Sequence, residues 1–234
     1  MTYDPGAGAV SPTTIDYTPG AADINYTESS GVLSGSGGGL HGWKVANWAL
    51  FNSISESDAN NWIEFSTDIS GIGQEYAYYD ANYIDAAPYV YQDIYGDFSL
   101  WITVDSTGGG DAQRSPCIGV GRIDDDGTWN GCCSMECLGW DTNSCKVTAG
   151  CRTYTTTKLY DSGAVDYPRT IKITRTGELI TWEDSADSGE NWTERISRSV
   201  DVGNYARLFI GFGGSGGATN TMHITRLKAS FYAQ

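Results

Sequence analysis

Basic residues are scarce in this chain. Fourteen Lys and Arg stand against 29 Asp and Glu, the formal net charge is −15, and the first lysine is Lys44. Binding of DNA or RNA rests on Lys and Arg displacing counterions, so the charge argues against a nucleic-acid partner and disfavours an anionic membrane surface. The plain reading of the charge is solubility through self-repulsion. A calcium site or a salty milieu is the alternative. Helical apolar periodicity is also lacking, and no apolar run approaches the length of a membrane span. The opening MTYDPGAGAV has neither a basic segment nor an apolar stretch, so no signal peptide is visible and export by the general route is not expected. Histidine occurs twice. His41 sits in a Gly-rich stretch and His223 in a strand pattern without a nucleophile elbow, and both read as structural polar residues. No H-E-x-x-H zinc motif occurs.

What is abundant is glycine and aromatics, with 30 Gly, 15 Tyr and 8 Trp in 234 residues. Short alternating segments separated by Gly-rich turns predict an all-β sandwich or barrel. A chain of this length can bury a core that folds without disulfides. The clearest strand is Asp97–Asp105. Phe98, Leu100, Ile102 and Val104 share its core face, while Ser99, Trp101 and Thr103 share the other. Ile118–Ile123 and Arg207–Phe212 alternate in the same way. The closing strand Met222–Tyr232 slips phase between Ile224 and Leu227, which predicts a bulge. The string Gly211-Phe212-Gly213-Gly214-Ser215-Gly216 satisfies a dinucleotide fingerprint literally. A strand follows it where the phosphate site needs a helix N-terminus, so it is rejected.

Residues 170–194 hold two consecutive hairpin connections. Ile171 and Ile173 alternate with Lys172 and Thr174, Thr176-Gly177 turns the chain, and Leu179, Ile180 and Trp182 return it. A second turn, Ser185-Ala186-Asp187-Ser188-Gly189, leads to Trp192. This Ser185, Asp187, Gly189, Trp192 pattern resembles one near the end of concanavalin A-like (laminin-G-like) jelly-roll domains. The stretch from Ala87-Pro88-Tyr89 to Gly96-Asp97-Phe98 is similar to the segment that feeds a long sheet strand in the same superfamily. The resemblance covers roughly residues 43–234 and implies a two-sheet antiparallel jelly-roll sandwich. Glucanases of that superfamily carry carboxylates spaced Glu-x-Asp-x-Glu on one strand, as retaining hydrolysis requires two carboxyls about 5.5 Å apart. No such pattern occurs here, since Glu178 and Glu183 do not share a face. The chain is therefore not expected to be an enzyme, and no catalytic residue is assigned.

Three groups of candidate site residues remain. Residues 76–95 hold seven tyrosines. Tyr76, Tyr78, Tyr79 and Tyr83, with Trp101, are candidates for a carbohydrate platform, because these rings combine an apolar face with a polar tip. The competing reading is strand packing or a subunit interface. Asp124, Asp125 and Asp126 crowd three carboxylates into one turn and are the candidate calcium ligands; a solvated acidic turn is the alternative. No other cofactor is implied. The six cysteines, Cys117, Cys132, Cys133, Cys137, Cys145 and Cys151, fall within one 35-residue stretch. Disulfides, reduced core thiols and metal ligation are the three readings, and the spacing is not that of paired C-x₂-C zinc ligands. At least one disulfide is expected. Adjacent Cys132 and Cys133 on an extended chain point opposite ways and so take different partners.

Residues 1–42 are rich in Gly, Ser and Thr, with widely spaced apolar residues. They read as an extended N-terminal arm that leaves the domain 43–234 and lies along a neighbouring subunit. An arm of this kind points to a structural or adhesive protein of a virus particle, such as a phage capsid decoration, fibre or tail component. Its partners would be virion or self subunits, and a particle exposed to an oxidising exterior would explain both the missing leader and the cysteines. The alternative is a carbohydrate-binding module of an extracellular glycan-active protein, with glycans as partners.

Overall fold

The computed structural model describes residues 11–68, 87–108, 114–123, 129–139, 144–152, 156–203, 205–214 and 219–233. Its strands, in chain order, are β1 (Thr13–Tyr17), β2 (Ile24–Asn25), β3 (Thr27–Ser29), β4 (Val32–Ser34), β5 (Lys44–Ala46), β6 (Phe51–Ser57), β7 (Trp62–Thr67), β8 (Tyr89–Gly108), β9 (Arg114–Ile123), β10 (Trp129–Gly139), β11 (Ser144–Arg152), β12 (Thr156–Asp166), β13 (Arg169–Thr176), β14 (Leu179–Ser185), β15 (Thr193–Ser199), β16 (Tyr205–Gly214) and β17 (Asn220–Ala233). Every strand pair is antiparallel.

One long strand organises them. The first half of β8 lies between β5 and β16, and its second half lies between β13 and β17. Pairing outward from the second half gives a first layer, β15-β14-β13-β8-β17, continued by β7, β6 and β2 and flanked by β1. Pairing outward from the first half gives a second layer, β12-β11-β10-β9-β16-β8-β5-β4-β3. The two-sheet all-β sandwich expected from the alternation is what forms.

The core sits between the layers. Leu100, Ile102 and Val104 are fully buried, as their shared face predicts, and Ile171, Ile173, Ile180 and Trp182 pack with them from β13 and β14. Trp182 also crosses the interlayer space, its Nε1 donating to the Ser134 carbonyl at 3.0 Å. Inward residues of the second layer include Ile118, Val120, Met135, Val147, Leu208 and Ile210. Burial of each such aliphatic side chain contributes about 1.5–3 kcal/mol. The expected bulge in β17 falls between Ile224 and Arg226, where the register against β8 shifts.

The cysteine-rich segment is a hairpin. Cys133 and Cys151 are directly opposed in the β10–β11 register and form a disulfide, while Cys117, Cys132, Cys137 and Cys145 are buried and not disulfide-bonded. Cys132 faces away from Cys133 and packs with Cys117 in a separate cluster. Burial, and then the nearby Glu136 carboxyl, push the thiols of Cys117 and Cys132 well up, so neither is a ready thiolate. Denatured, unreduced protein should therefore show four titratable thiols, rising to six after reduction. Six thiols before reduction would contradict the bridge.

Residues 13–42 do not leave the domain. β1 pairs along the edge of β17, from Thr13 opposite Phe231 to Tyr17 opposite Leu227. Asp16 meets Arg226 at 2.9 Å and Lys228 at 3.1 Å. Tyr26, Leu33 and Leu40 are buried in the common core beside Trp43. The expected arm along a neighbouring subunit is thus corrected for these residues. Few apolar anchors suffice because the edge of β17 satisfies the backbone, and each anchor lands in an existing core. The glycines belong to this packing: a Cβ at Gly38 would lie 2.1 Å from the Tyr26 hydroxyl.

Candidate functional site

The alternation along β8 and β16 sends one set of side chains inward and the other onto the outer face of the second layer. Val90 and Ile94 of β8, and Leu208 and Ile210 of β16, are fully buried. Tyr89, Tyr91, Asp93 and Tyr95 therefore face outward, in register with Gly211, Phe209, Arg207 and Tyr205. The result is a stripe of aromatic rings interrupted by one charged group.

That group is tightly built. The Arg207 guanidinium lies 3.8 Å from the Tyr91 ring centroid. Its Nε donates to Asp93 Oδ1 at 3.2 Å, and its Nη1 donates to the Tyr89 hydroxyl at 3.3 Å. Lys44, from β5, places Nζ 2.6 Å from Asp93 Oδ2 and 6.0 Å from the Tyr91 centroid. A planar guanidinium stacked on a ring and bonded at its edge holds both groups in one geometry. At one end of the stripe Tyr95 and Tyr205 meet at 4.6 Å with their planes inclined at 59°, and Tyr205 is 49% exposed. At the other end Tyr89 contacts Tyr91 and Phe209, with ring centroids 5.6 and 5.7 Å away. There the stripe closes over, since Tyr89 and Phe209 are buried with Ala87, Cys117 and Cys132.

Across the strands, one transverse row of this face runs Ala46, Tyr89, Gly211, Cys117, Glu136, Thr148 and Asp161. Glu136 is a fully buried acid in that row. Beside it, Gly119 accommodates the Phe209 ring: a Cβ there would come 2.4 Å from Phe209 Cζ. The stripe and the buried acid thus share one face, which is packed closed around Cys117, Phe209, Glu136 and Thr148.

The sequence candidates fall elsewhere. Tyr76, Tyr78, Tyr79 and Tyr83, and the calcium candidates Asp124, Asp125 and Asp126, lie outside the described residues. Among the described residues no group of three or more His, Cys, Asp or Glu side chains could hold a metal ion. Trp101 is on the outer face of the first layer and only 9% exposed. Trp192 meets it edge-on at 5.7 Å, and Arg226 and Lys228 stand over its ring at 5.5 and 5.9 Å. Lys172 covers Trp192 at 4.4 Å. These indoles are roofed by cations and do not form an open platform. The turn before Trp192 is self-contained: Asp187 accepts from the Asn191 backbone at 2.8 Å and side chain at 2.6 Å, which with Ser185 holds its carboxyl down at about 2.

Lys44, Asp93, Tyr205, Arg207 and Glu136 were not singled out from sequence. The period-2 strings YVYQDIY and YARLFIGF carry the signal that their odd-numbered residues share a face. Which strands lie side by side is what those strings do not contain.

No protein family and no curated protein matches the sequence. Among solved structures, a functionally unknown protein from Saccharomyces cerevisiae is similar at TM-score 0.55 and 10% identity, over 82% of this chain and 97% of that one. The GH43 protein BlXynB of Bacillus licheniformis, as a mutant, gives TM-score 0.51 at 11% identity. There the likeness covers 81% of this chain and spans only 37% of the longer protein. The exolytic PL7 alginate lyase AlyA5 of Zobellia galactanivorans gives TM-score 0.50 at 8% identity, over 90% and 95%. The expectation that the chain is not an enzyme is corrected, because an alginate lyase is built on this fold over nearly its whole length. Its physical weakness was to search one strand for paired carboxylates, whereas a sheet face collects residues from several strands, as the row containing Glu136 does. The chain has an all-β, antiparallel jelly-roll fold.

Proposed function

We propose that this chain is a carbohydrate-binding domain that holds a glycan along the Tyr95/Tyr205 to Tyr91 part of the stripe on the second layer. The observation that carries this reading is the Tyr91–Arg207–Asp93–Lys44 cluster, a ring face and charged donors and acceptors fixed side by side on an outward sheet face. A sugar ring presents an apolar face and a rim of hydroxyls, and tyrosines together with Arg, Lys and Asp match both. The glycan-active proteins among the structural neighbours support the same reading at the level of fold alone. The Cys133–Cys151 bridge supports an oxidising, extracellular location. The particle-assembly reading loses the feature that favoured it, since β1 lies on its own domain.

Titration calorimetry against a panel of neutral and acidic oligosaccharides tests the proposal. At least one member should bind, and Tyr91→Ala should weaken that member tenfold or more, about 1.4 kcal/mol, while the thermal midpoint changes little. Failure of every member to bind, or an unchanged affinity in Tyr91→Ala, would overturn it.

A further inference from the structure

A second cluster lies on the opposite outer face, away from the stripe, and no glycan contact explains it. Ser106 of β8, His223 of β17 and Glu64 of β7 stand in one transverse row, each opposite the next in register. Ser106 Oγ is 2.9 Å from His223 Nδ1, and His223 Nε2 is 3.0 Å from Glu64 Oε2. Trp62 stacks flat on the imidazole, with ring centroids 3.9 Å apart and planes at 8°. An ionised carboxylate only accepts hydrogen bonds, so Glu64 takes the proton on Nε2 and leaves the Nδ1 lone pair facing the Ser106 hydroxyl. The Asp105 carboxylate is the other acceptor near that hydroxyl, at the longer distance of 3.4 Å. The row is partly open to solvent, with side-chain exposures of 13% for His223 and 31% for Glu64. A nucleophile within reach of a base that a third group orients is the signature of an activated serine.

We propose that Ser106 is a nucleophile activated by His223, with Glu64 and Trp62 as positioning residues, and that it accepts acyl groups from carboxylic esters. Ser106 Oγ attacks the ester carbonyl as its proton passes to His223 Nδ1. The C–O bond to the alcohol then breaks, the alcohol leaves with that proton, and an acyl-serine remains. Water, deprotonated by the same nitrogen, hydrolyses the acyl-serine to release the carboxylic acid. General-base assistance of this kind is worth about 10²–10⁴-fold. No oxyanion donors enter the scheme, so turnover is slow and covalent labelling is the sensitive readout.

The full chain is treated with a fluorophosphonate, in which Oγ–P forms as P–F breaks and fluoride leaves, and separately with p-nitrophenyl acetate. Peptide mass spectrometry should find the adduct on Ser106. Ser106→Ala should abolish it, and Glu64→Gln should slow labelling tenfold or more with an unchanged thermal midpoint. Wild-type labelling no faster than that of the unfolded chain would overturn the proposal. So would an adduct that persists in Ser106→Ala, or wild-type labelling rates in Glu64→Gln.

Discussion

Asp184→Ala is expected to destabilise the protein by about 3–5 kcal/mol, the usual cost of removing one partner from a buried ionic network. Asp184 is fully buried between two guanidinium groups. Its Oδ2 accepts from Arg169 Nε at 2.7 Å and from Arg169 Nη2, and its Oδ1 accepts from Arg195 Nε. The side chains of Arg169 and Arg195 are only 10% and 23% exposed, so water cannot replace the carboxylate fully. The network ties β13, β14 and β15 together, and Arg195 also covers the Tyr160 ring of β12 at 5.3 Å. Denaturant unfolding should show a lower midpoint at unchanged slope. A loss below about 1 kcal/mol would mean that the network behaves as an exposed pair.

The second large effect is expected at Glu56, a 3% exposed carboxylate of β6. It accepts from the Tyr17 hydroxyl at 2.5 Å, from the Tyr26 hydroxyl, and from the Gly39 backbone at 2.9 Å. Three points of the N-terminal segment thus converge on one acid, and Tyr26 passes the contact on by accepting from the Leu40 backbone at 3.0 Å. Glu56→Ala orphans these donors and should cost about 3 kcal/mol. Limited proteolysis should then cut within residues 18–42 well before the rest of the chain. If the variant resists protease as the wild type does, the segment is held by other means. The same cluster sets an alkaline limit. Burial, followed by the bond to Glu56, raises both tyrosine pKa values above their ordinary 10.0. A raised folded pKa gives stability that is complete below pH 10 and is lost as pH rises beyond it. Unfolding should therefore ease above about pH 10, and the tyrosine-to-phenylalanine double variant at 17 and 26 should weaken that dependence. The buried Cys117, Cys132 and Cys137 thiols and Tyr167, all held up by burial, supply the remainder.

Much of the fold was legible because alternation in a strand is a local property. Phe98, Leu100, Ile102 and Val104 could be placed on one face, Cys132 and Cys133 on opposite faces, and a bulge after Ile224, from the string alone. Pairing is not local. The stripe needs β8 beside β16, whose register joins Asp93 to Arg207 across more than a hundred residues. Trp101 illustrates the same limit, since its exposure was decided by Arg226 and Lys228 of β17 and by Trp192 after the β14 turn. The N-terminal segment misled for a related reason. Its apolar residues are sparse, and sparse anchors are enough only when another strand offers its edge and a distant acid, here Glu56, collects the hydroxyls.

Nuclear magnetic resonance titration with the oligosaccharide panel tests the location of the glycan site most directly. Shifts should concentrate on Tyr91, Asp93, Tyr95, Tyr205 and Arg207, with Lys44 at the margin, and should vanish in Arg207→Ala. Shifts confined to Trp101 and Trp192 on the opposite face, or the absence of any shift with every member of the panel, would contradict a glycan site on the second layer.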